Sequence, residues 1–403
     1  RMNMNNKIKK LMIFFMCICL LITNNVQVLA AGKTIGAYKN TTYTVDKGSD
    51  AKTIYDGVIK EDSNYSGIYK DVKNKKMTES DFYDKTKTIK YWSSHGSVTG
   101  QLFGDSNNSC SFNIFSKDNF TWAGGNLEFV FLAACNQLNK ESKNPLKKYA
   151  KAMLGNKAVR VICGYHDKAP AIADNKVANK FLDFAKTGES VKSSWIKANE
   201  YVYAHNGYTN AKNYAVLTHT GNVQYSRFPG FSGNTYARPK LDSKKILRFR
   251  KNVENGETVI NTASVKLRKK IVKEKDIKPI KLQISPKCDD FIMNNGNKIS
   301  IDGGEITEKE IAIGKMDLYK QIARYVKQNI LNSEDIDLEM KNMKIESIVA
   351  DDALSEIKDD KIVSYVVSFA HIEEGYGFLN DKATFIIDSD GIKYITINWS
   401  KLK

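Results

Sequence analysis

The sequence predicts an α/β fold with an open, mostly parallel sheet and helices on both faces, followed by a smaller C-terminal α+β domain. Short apolar runs alternate with helical patterns from residue 34 to residue 218, which is typical of strand–helix–strand units. Two of the runs, 127–134 and 158–163, are apolar apart from Glu128 and Arg160, as expected of strands that are buried on both faces. After residue 281, one long amphipathic pattern precedes four strand-like runs, which indicates a helix on an antiparallel sheet.

The elements of the first unit follow one another at short intervals. Strand-like runs lie at 34–38, 66–72, 88–93, 127–134, 158–163 and 214–218. Helical patterns lie at 50–60, 145–154, 173–186 and 191–204. Thr78 to Asp81 has the form of a capping box for a further short helix. This alternation favours a parallel sheet.

A basic, weakly patterned stretch follows the first unit. We interpret 238–280 as a connector because Lys and Arg are frequent in it and no periodicity is evident. The chain therefore divides into an α/β domain at 32–237 and an α+β domain at 281–403.

The second unit has one helix and several strands. Leu318, Ile322, Val326 and Ile330 recur every four residues within 310–331, which predicts an amphipathic helix. Strand-like runs follow at 344–349, 362–369, 383–387 and 393–399. Asp390-Gly391 between the last two runs is a two-residue hairpin signal.

Composition excludes several classes of protein. The 403 residues include 62 Lys and Arg, 45 Asp and Glu and 42% apolar residues, so wholesale disorder is excluded. Six cysteines are too few for a disulfide scaffold. The long apolar run at 11–23 is shorter than the ~20 residues that a membrane span needs, which excludes a polytopic membrane protein. Zinc-finger, RNA-binding and helix-turn-helix patterns are absent from the sequence, so no nucleic acid partner is expected.

The N-terminus has the pattern of a secretory signal peptide. Lys7, Lys9 and Lys10 precede the apolar run, and the small residues Ala30 and Ala31 close it. An uncleaved anchor is the alternative. With 1–31 as the signal peptide, we expect a secreted or cell-wall associated protein with no transmembrane span after cleavage. Its positive charge would give solubility or attract anionic cell-wall polymers or membrane surfaces.

Two neighbouring apolar strands end in residues that can carry chemistry. The run 88–93 leads into His95-Gly96, and the run 127–134 leads into Cys135. Because ligands bind beyond the carboxyl ends of parallel strands, we expect the imidazole and the thiol to lie side by side. A thiolate, an imidazole and backbone N–H groups are what acyl transfer needs. The structural alternative is a small apolar core cysteine and a turn histidine.

The region 34–218 resembles the caspase-like cysteine peptidase superfamily, which includes clostripains, legumains, gingipains and caspases. The resemblance rests on one strand that runs into His-Gly, a second that runs into Ala-Cys, and the strand–helix order before them. Within this superfamily, 127–204 is similar to an uncharacterised group of secreted bacterial proteins. The matching pieces are FVFLAACNQL, VRVICGY, VANKFLDFAKTG and SVKSSWIKAN.

The resemblance implies a caspase-like fold and a cysteine endopeptidase that hydrolyses peptide or amide bonds in a peptide or protein substrate. It implies that Cys135 is the nucleophile, that His95 transfers protons, and that the backbone N–H groups of Gly96 and Cys135 form the oxyanion hole. Relatives often carry Asp, Glu or Gln where this chain has Ala133, so it implies no P1 preference. A non-catalytic binding or cell-surface interaction protein with the same fold is the alternative.

Further titratable residues lie near the same predicted edge. His166 follows Cys163 at the end of another apolar run, so a zinc site from His95, Cys135 and His166 is conceivable. The acidic base and the ligand spacing of a catalytic zinc site are missing, so we expect no metal and no cofactor. Three acidic residues are placed where they could face the cleft, and no role is assigned to them: Asp105, Asp167 and Asp174. A serine-hydrolase site is not expected because Gly-x-Ser-x-Gly is absent from the sequence.

Overall fold

The computed structural model describes residues 33–402, with gaps at 43–48, 234–244 and 253–276 and shorter gaps of one to four residues elsewhere. The predicted signal peptide, 1–31, and most of the predicted connector lie outside the described residues. The described chain is a mixed α/β structure with six α-helices and a large mixed sheet of 13 strands. No helix in these ranges is long and apolar enough to cross a membrane.

The helices of the described chain are α1 (Asp50–Glu61), α2 (Glu79–Tyr83), α3 (Pro145–Gly155), α4 (Asp174–Lys186), α5 (Val191–Asn206) and α6 (Lys315–Asn329). Its first ten strands are β1 (Lys33–Lys39), β2 (Tyr65–Asp71), β3 (Ile89–Ser93), β4 (His95–Gly96), β5 (Gln101–Phe103), β6 (Phe112–Asn113), β7 (Phe129–Ala133), β8 (Val161–Tyr165), β9 (Tyr214–His219) and β10 (Ile246–Asn252). The remaining strands are β11 (Ile277–Pro279), β12 (Gln283–Ile284), β13 (Met293–Asn295), β14 (Lys298–Asp302), β15 (Ile330–Leu331), β16 (Met343–Asp352), β17 (Lys361–Glu373), β18 (Tyr376–Asp388), β19 (Gly391–Asn398) and β20 (Ser400–Leu402).

The large sheet is parallel in one part and antiparallel in the other. Its order is β13-β14-β19-β18-β17-β16-β10-β9-β8-β7-β3-β1-β2. The five strands β2, β1, β3, β7 and β8 are parallel, and β9 and β10 are antiparallel to their neighbours. The sheet is therefore mixed rather than mostly parallel as a whole. The reversal at β9 follows from the two helices between β8 and β9, which return the chain to the edge at which β8 ends.

Helices cover both faces of the parallel strands. Alternate strand residues point to opposite faces, so Tyr91 and Phe131 pack with α1, α4 and α5, whereas Trp92 and Leu132 pack with α2 and α3. Strands β3, β7 and β8 are buried on both faces, as their apolar runs predict, whereas the edge strand β2 is partly exposed. This arrangement leaves the carboxyl ends of the strands as the edge at which side chains can meet a ligand.

The C-terminal strands extend the same sheet. Strand β10 lies inside the predicted connector and pairs with both β9 and β16. Helix α6 packs on one face of the C-terminal strands through Leu318, Ile322 and Val326. A hairpin turn is present there, but Asp388 is paired with Gly391, so the two turn residues are Ser389 and Asp390 rather than the predicted Asp390 and Gly391. His95-Gly96 and the polar loop that follows form a small three-stranded sheet of β4, β5 and β6. Its two- and three-residue strands are too short to give a periodic pattern.

Candidate functional site

The structure places His95 and Cys135 at the ends of two adjacent parallel strands. Strands β3 and β7 are paired in register up to Ser93 and Ala133, and the Ser94 N–H donates a hydrogen bond to the Ala133 carbonyl at 3.3 Å. Both candidate residues line one small cavity of about 60 Å³. The other lining residues are Thr41, Ser93, Ser94, Ala133, Tyr165, Ala169, Ala171 and Asp174.

The thiol of Cys135 is partly exposed and has a backbone donor beside it. The Ala169 N–H donates a hydrogen bond to Cys135 Sγ at 3.3 Å. Ala169 lies in the loop between β8 and α4, which crosses the end of β7 at this point. The same loop limits the space around the thiol.

Gly96 lies against the backbone of Cys135. A Cβ atom at Gly96 would lie 2.3 Å from the Cys135 carbonyl oxygen and 3.1 Å from the Cys135 nitrogen, so this approach requires glycine. The Ser97 N–H donates to the Gln101 carbonyl, and bonded and non-bonded pairs alternate along an antiparallel ladder. The Gly96 N–H therefore points away from β5.

A sharp turn follows Cys135. Asn136 has φ 63°, a left-handed conformation that Asn tolerates better than most residues. Its N–H donates to the Asp167 carbonyl at 2.9 Å, and the Leu138 N–H donates to the Tyr165 carbonyl at 3.0 Å. The turn is therefore held by the loop that follows β8.

Gln137 is a buried residue of this turn that sequence reasoning missed. Its side chain is fully buried and contacts the backbone of both candidate segments, through the carbonyls of Cys135 and Ser97. The only sequence signal was a polar residue between Cys135 and the apolar Leu138, which does not distinguish a buried amide from a surface turn.

The three acidic candidates differ in position. Asp174 lines the cavity. Asp105 interacts electrostatically with His95; burial alone would raise the pKa of Asp105, but hydrogen bonds from Thr42 and the His95 charge lower it below its usual value. Asp167 is exposed and contributes its carbonyl to the turn after Cys135.

His166 lines a different cavity from His95 and Cys135. That cavity has about 330 Å³ and is also lined by Arg248, Arg250 and Asp351. Burial, together with the two arginine charges, lowers the pKa of His166 to about 4, so its imidazole is neutral at pH 7. Within the described ranges, no group of three or more His, Cys, Asp or Glu side chains is arranged to hold a metal ion.

The other cysteines of the described chain form no disulfide and lie in different surroundings. Burial raises the pKa of the Cys110 thiol to about 11. Cys163 is fully buried in β8, and burial raises its pKa well above the usual value. Cys288 is half-buried, with its sulfur 3.9 Å from the Tyr325 hydroxyl. Cys135 and Cys288 are both partly exposed but have different neighbours, so Cys288 is a suitable reference thiol for Cys135.

A larger groove adjoins the small cavity. It has about 550 Å³ and shares His95, Ala169 and Ala171 with the cavity around the thiol. Its further lining residues are Pro170, Ile172, Gly207, Tyr208, Thr209 and Asn210. Ile172 is 49% exposed, so the loop at 169–172 presents an apolar side to the groove while its backbone faces the sulfur.

Comparison with known proteins gives one family model and distant structures. Residues 62–246 match a family described as a domain of unknown function, DUF6345; this segment contains His95 and Cys135 and is less than half of the chain. No curated protein matches the sequence. Among solved structures, the chain is similar to one in the complex of Porphyromonas gingivalis RgpB pro- and mature domains, with a TM-score of 0.34 and 10% identity, covering 90% of this chain and 68% of that one.

Proposed function

We propose that this protein is a thiol-dependent hydrolase of peptide or amide bonds, a caspase-like cysteine endopeptidase. Cys135 is the nucleophile, His95 is the proton-transfer partner, and the N–H groups of Gly96 and Cys135 bind the oxyanion. One observation carries the proposal: His95 and Cys135 line the same cavity at the carboxyl ends of adjacent parallel strands. The strand-to-His-Gly and strand-to-Ala-Cys motifs support it.

The proposed reaction has two stages. His95 takes the thiol proton, and the sulfur of Cys135 attacks the substrate carbonyl carbon, whose oxygen becomes the oxyanion. The carbon–nitrogen bond then breaks, the leaving amine takes the proton from His95, and a thioester remains on Cys135. Water that loses a proton to His95 attacks this thioester, which releases the acid and restores the thiol.

The second candidate is a non-catalytic binding protein, which has the same fold but does not hydrolyse a substrate. The small volume around the thiol, about 60 Å³, favours it, because a peptide carbonyl with its flanking residues needs more room. Under the enzyme hypothesis, the residues that flank the substrate carbonyl lie in the adjoining groove of about 550 Å³, which shares His95 with this cavity.

Labelling with iodoacetamide separates the two candidates. We expect Cys135 to react faster than Cys288, although both are partly exposed. It should react much faster than Cys110 and Cys163, because desolvation raises the pKa of both thiols and keeps them protonated at pH 7. Peptide mapping by mass spectrometry measures the four rates in the same sample. Reaction of Cys135 no faster than that of Cys288 would favour the binding protein.

We also propose that the protein acts outside the cell, secreted or bound to the wall. The sequence pattern at 1–31 supports this. Intact-mass analysis of a culture supernatant should find a chain that begins at Ala31 or Gly32, and a chain that retains residues 2–29 would contradict it.

A further inference from the structure

The side chain of Gln137 connects the two segments that carry the candidate site. Its Nε2 atom donates to the Cys135 carbonyl at 3.2 Å and to the Ser97 carbonyl at 3.4 Å. Ser97 directly follows Gly96, so the two acceptors each lie close to one of the proposed oxyanion donors. Because a primary amide has two N–H groups, one side chain can hold both carbonyls at once.

The orientation of this amide is determined by its surroundings. The Tyr149 hydroxyl of α3 donates to Gln137 Oε1 at 3.0 Å. The reverse orientation would place Oε1 against two carbonyl oxygens, with no proton between them, which buried groups avoid. Both side chains are fully buried, so water does not replace these bonds easily.

The same amide also fills the space beside Gly96. Its Nε2 atom would lie 2.7 Å from a Cβ atom built on Gly96, so the amide packs directly on the glycine. The Gly96 backbone is therefore confined between the Cys135 backbone and the amide.

We propose that Gln137, oriented by Tyr149, is a positioning residue that fixes the N–H groups of Gly96 and Cys135 relative to each other and so aligns the oxyanion hole. This role rests on the proposed function. It predicts a loss in reactions that pass through an oxyanion and no loss in reactions of the same sulfur that do not.

Two reagents distinguish these reactions without knowledge of the substrate. p-Nitrophenyl acetate acylates a thiol through a tetrahedral oxyanion and releases p-nitrophenolate, whereas iodoacetamide alkylates it by direct displacement of iodide. The measured quantity is the ratio of the acylation rate to the alkylation rate at Cys135, determined by peptide mapping on the full chain. A variant that only loosens the fold changes both rates, so the ratio is not a measure of stability.

The variants are Gln137→Met, which keeps the size and removes the donors, and Gln137→Met combined with Tyr149→Phe, which leaves no unpaired hydroxyl. Removal of one oxyanion donor costs ~10²–10³-fold in rate, so displacement of a donor predicts a fall in the ratio of about 10-fold or more in both variants. Gln328→Met, the same substitution at an exposed position of α6, is the control and should keep the wild-type ratio.

The outcomes separate the two proposals. A lowered ratio in the Gln137 variants with unchanged alkylation supports the positioning role. An unchanged ratio overturns this role and leaves the proposed function standing. A wild-type Cys135 that reacts with neither reagent faster than Cys288 overturns both.

Discussion

At the scale of single residues, the site depends on close contact between two backbone segments. Gly96 lies so near Cys135 that only a hydrogen atom fits on its Cα in that direction. The left-handed Asn136 then turns the chain away from the strand. These two features set the backbone of the segments that carry the proposed site, although neither involves a charged side chain.

Gly96→Ala should therefore disrupt the site. The added methyl group would lie 2.3 Å from the Cys135 carbonyl oxygen, so one backbone segment must move. We expect acylation of Cys135 by p-nitrophenyl acetate to fall about 10²-fold or more. Gly314→Ala is the matched control, since its Cβ would meet its nearest atom at 3.8 Å. Equal acylation in the two variants would show that the Gly96 contact is unimportant.

At the scale of elements, α5 joins the two halves of the chain. Near its N-terminus, Glu305 accepts hydrogen bonds from the Ser190 N–H and the Ser193 hydroxyl, both at 2.8 Å. In its middle, the buried Lys197 forms an ion pair with Asp302. At its end, His205 hydrogen bonds to Thr396 of β19. Helix α5 thus packs on the parallel strands and on the C-terminal strands at the same time.

His205 should make this junction sensitive to acid. Burial, with nearby lysine charges, lowers its pKa from the usual 6.5 to about 4. As the pH falls, the unfolded chain therefore binds a proton at His205 before the folded chain does. The contribution of His205 to the free energy of unfolding is fully present above pH 6.5 and is lost as the pH drops from 6.5 to about 4. Acidification from pH 7.5 to pH 5 should therefore lower the free energy of unfolding by about 2 kcal/mol through His205.

The variant His205→Gln removes this titration. Urea unfolding of the wild type and the variant at pH 7.5 and pH 5 measures the difference, because other groups titrate in both proteins and cancel. The variant should lose less stability than the wild type on acidification. An identical loss in both would mean that His205 titrates alike in the folded and unfolded chains.

At the scale of the whole molecule, one sheet passes through both units. Strand β10 pairs with β16 over six residue pairs. The fully buried Lys251 of β10 forms ion pairs with Glu200 of α5 at 2.8 Å and with Glu346 of β16 at 3.0 Å. Removal of one member of a buried charge pair typically costs about 3–5 kcal/mol. These contacts predict that the two units stay associated even when the chain between them is cut.

Cleavage of the chain should therefore leave the units together. We expect that a specific protease site inserted at residue 260, once cut, yields two pieces that co-elute in size-exclusion chromatography, because β10 stays paired with β16. Lys251→Ala should weaken this association by leaving Glu200 and Glu346 unpaired. Separation of the cut wild-type chain into two folded monomers would instead support two independent domains with a simple connector.

The sequence predicted the elements better than their assembly. Continuous apolar runs and helical spacing identified the parallel strands and the helices around them, because burial on both faces and amphipathicity are local properties. The placement of His95 near Cys135 followed from strand order. The pairing of β10 with β16 could not be predicted, since its basic residues Arg248 and Lys251 are buried only through ion pairs with distant acids. Gln137 was missed for the same reason, because two of its three partners, Ser97 and Tyr149, lie in other segments of the chain.

The central claim is that Cys135 and His95 hydrolyse peptide or amide bonds. The most direct measurement is the cleavage of a mixed peptide library by the chain from residue 32 to 403, followed by mass spectrometry. We predict cleavage by the wild type, none by Cys135→Ala, and a loss of ~10²–10⁴-fold in His95→Ala, because proton transfer typically contributes that much. The control is Cys288→Ala, which removes a cysteine that takes no part in the proposed reaction. This variant should cleave the library as the wild type does. Equal cleavage by the wild type and Cys135→Ala would contradict the claim.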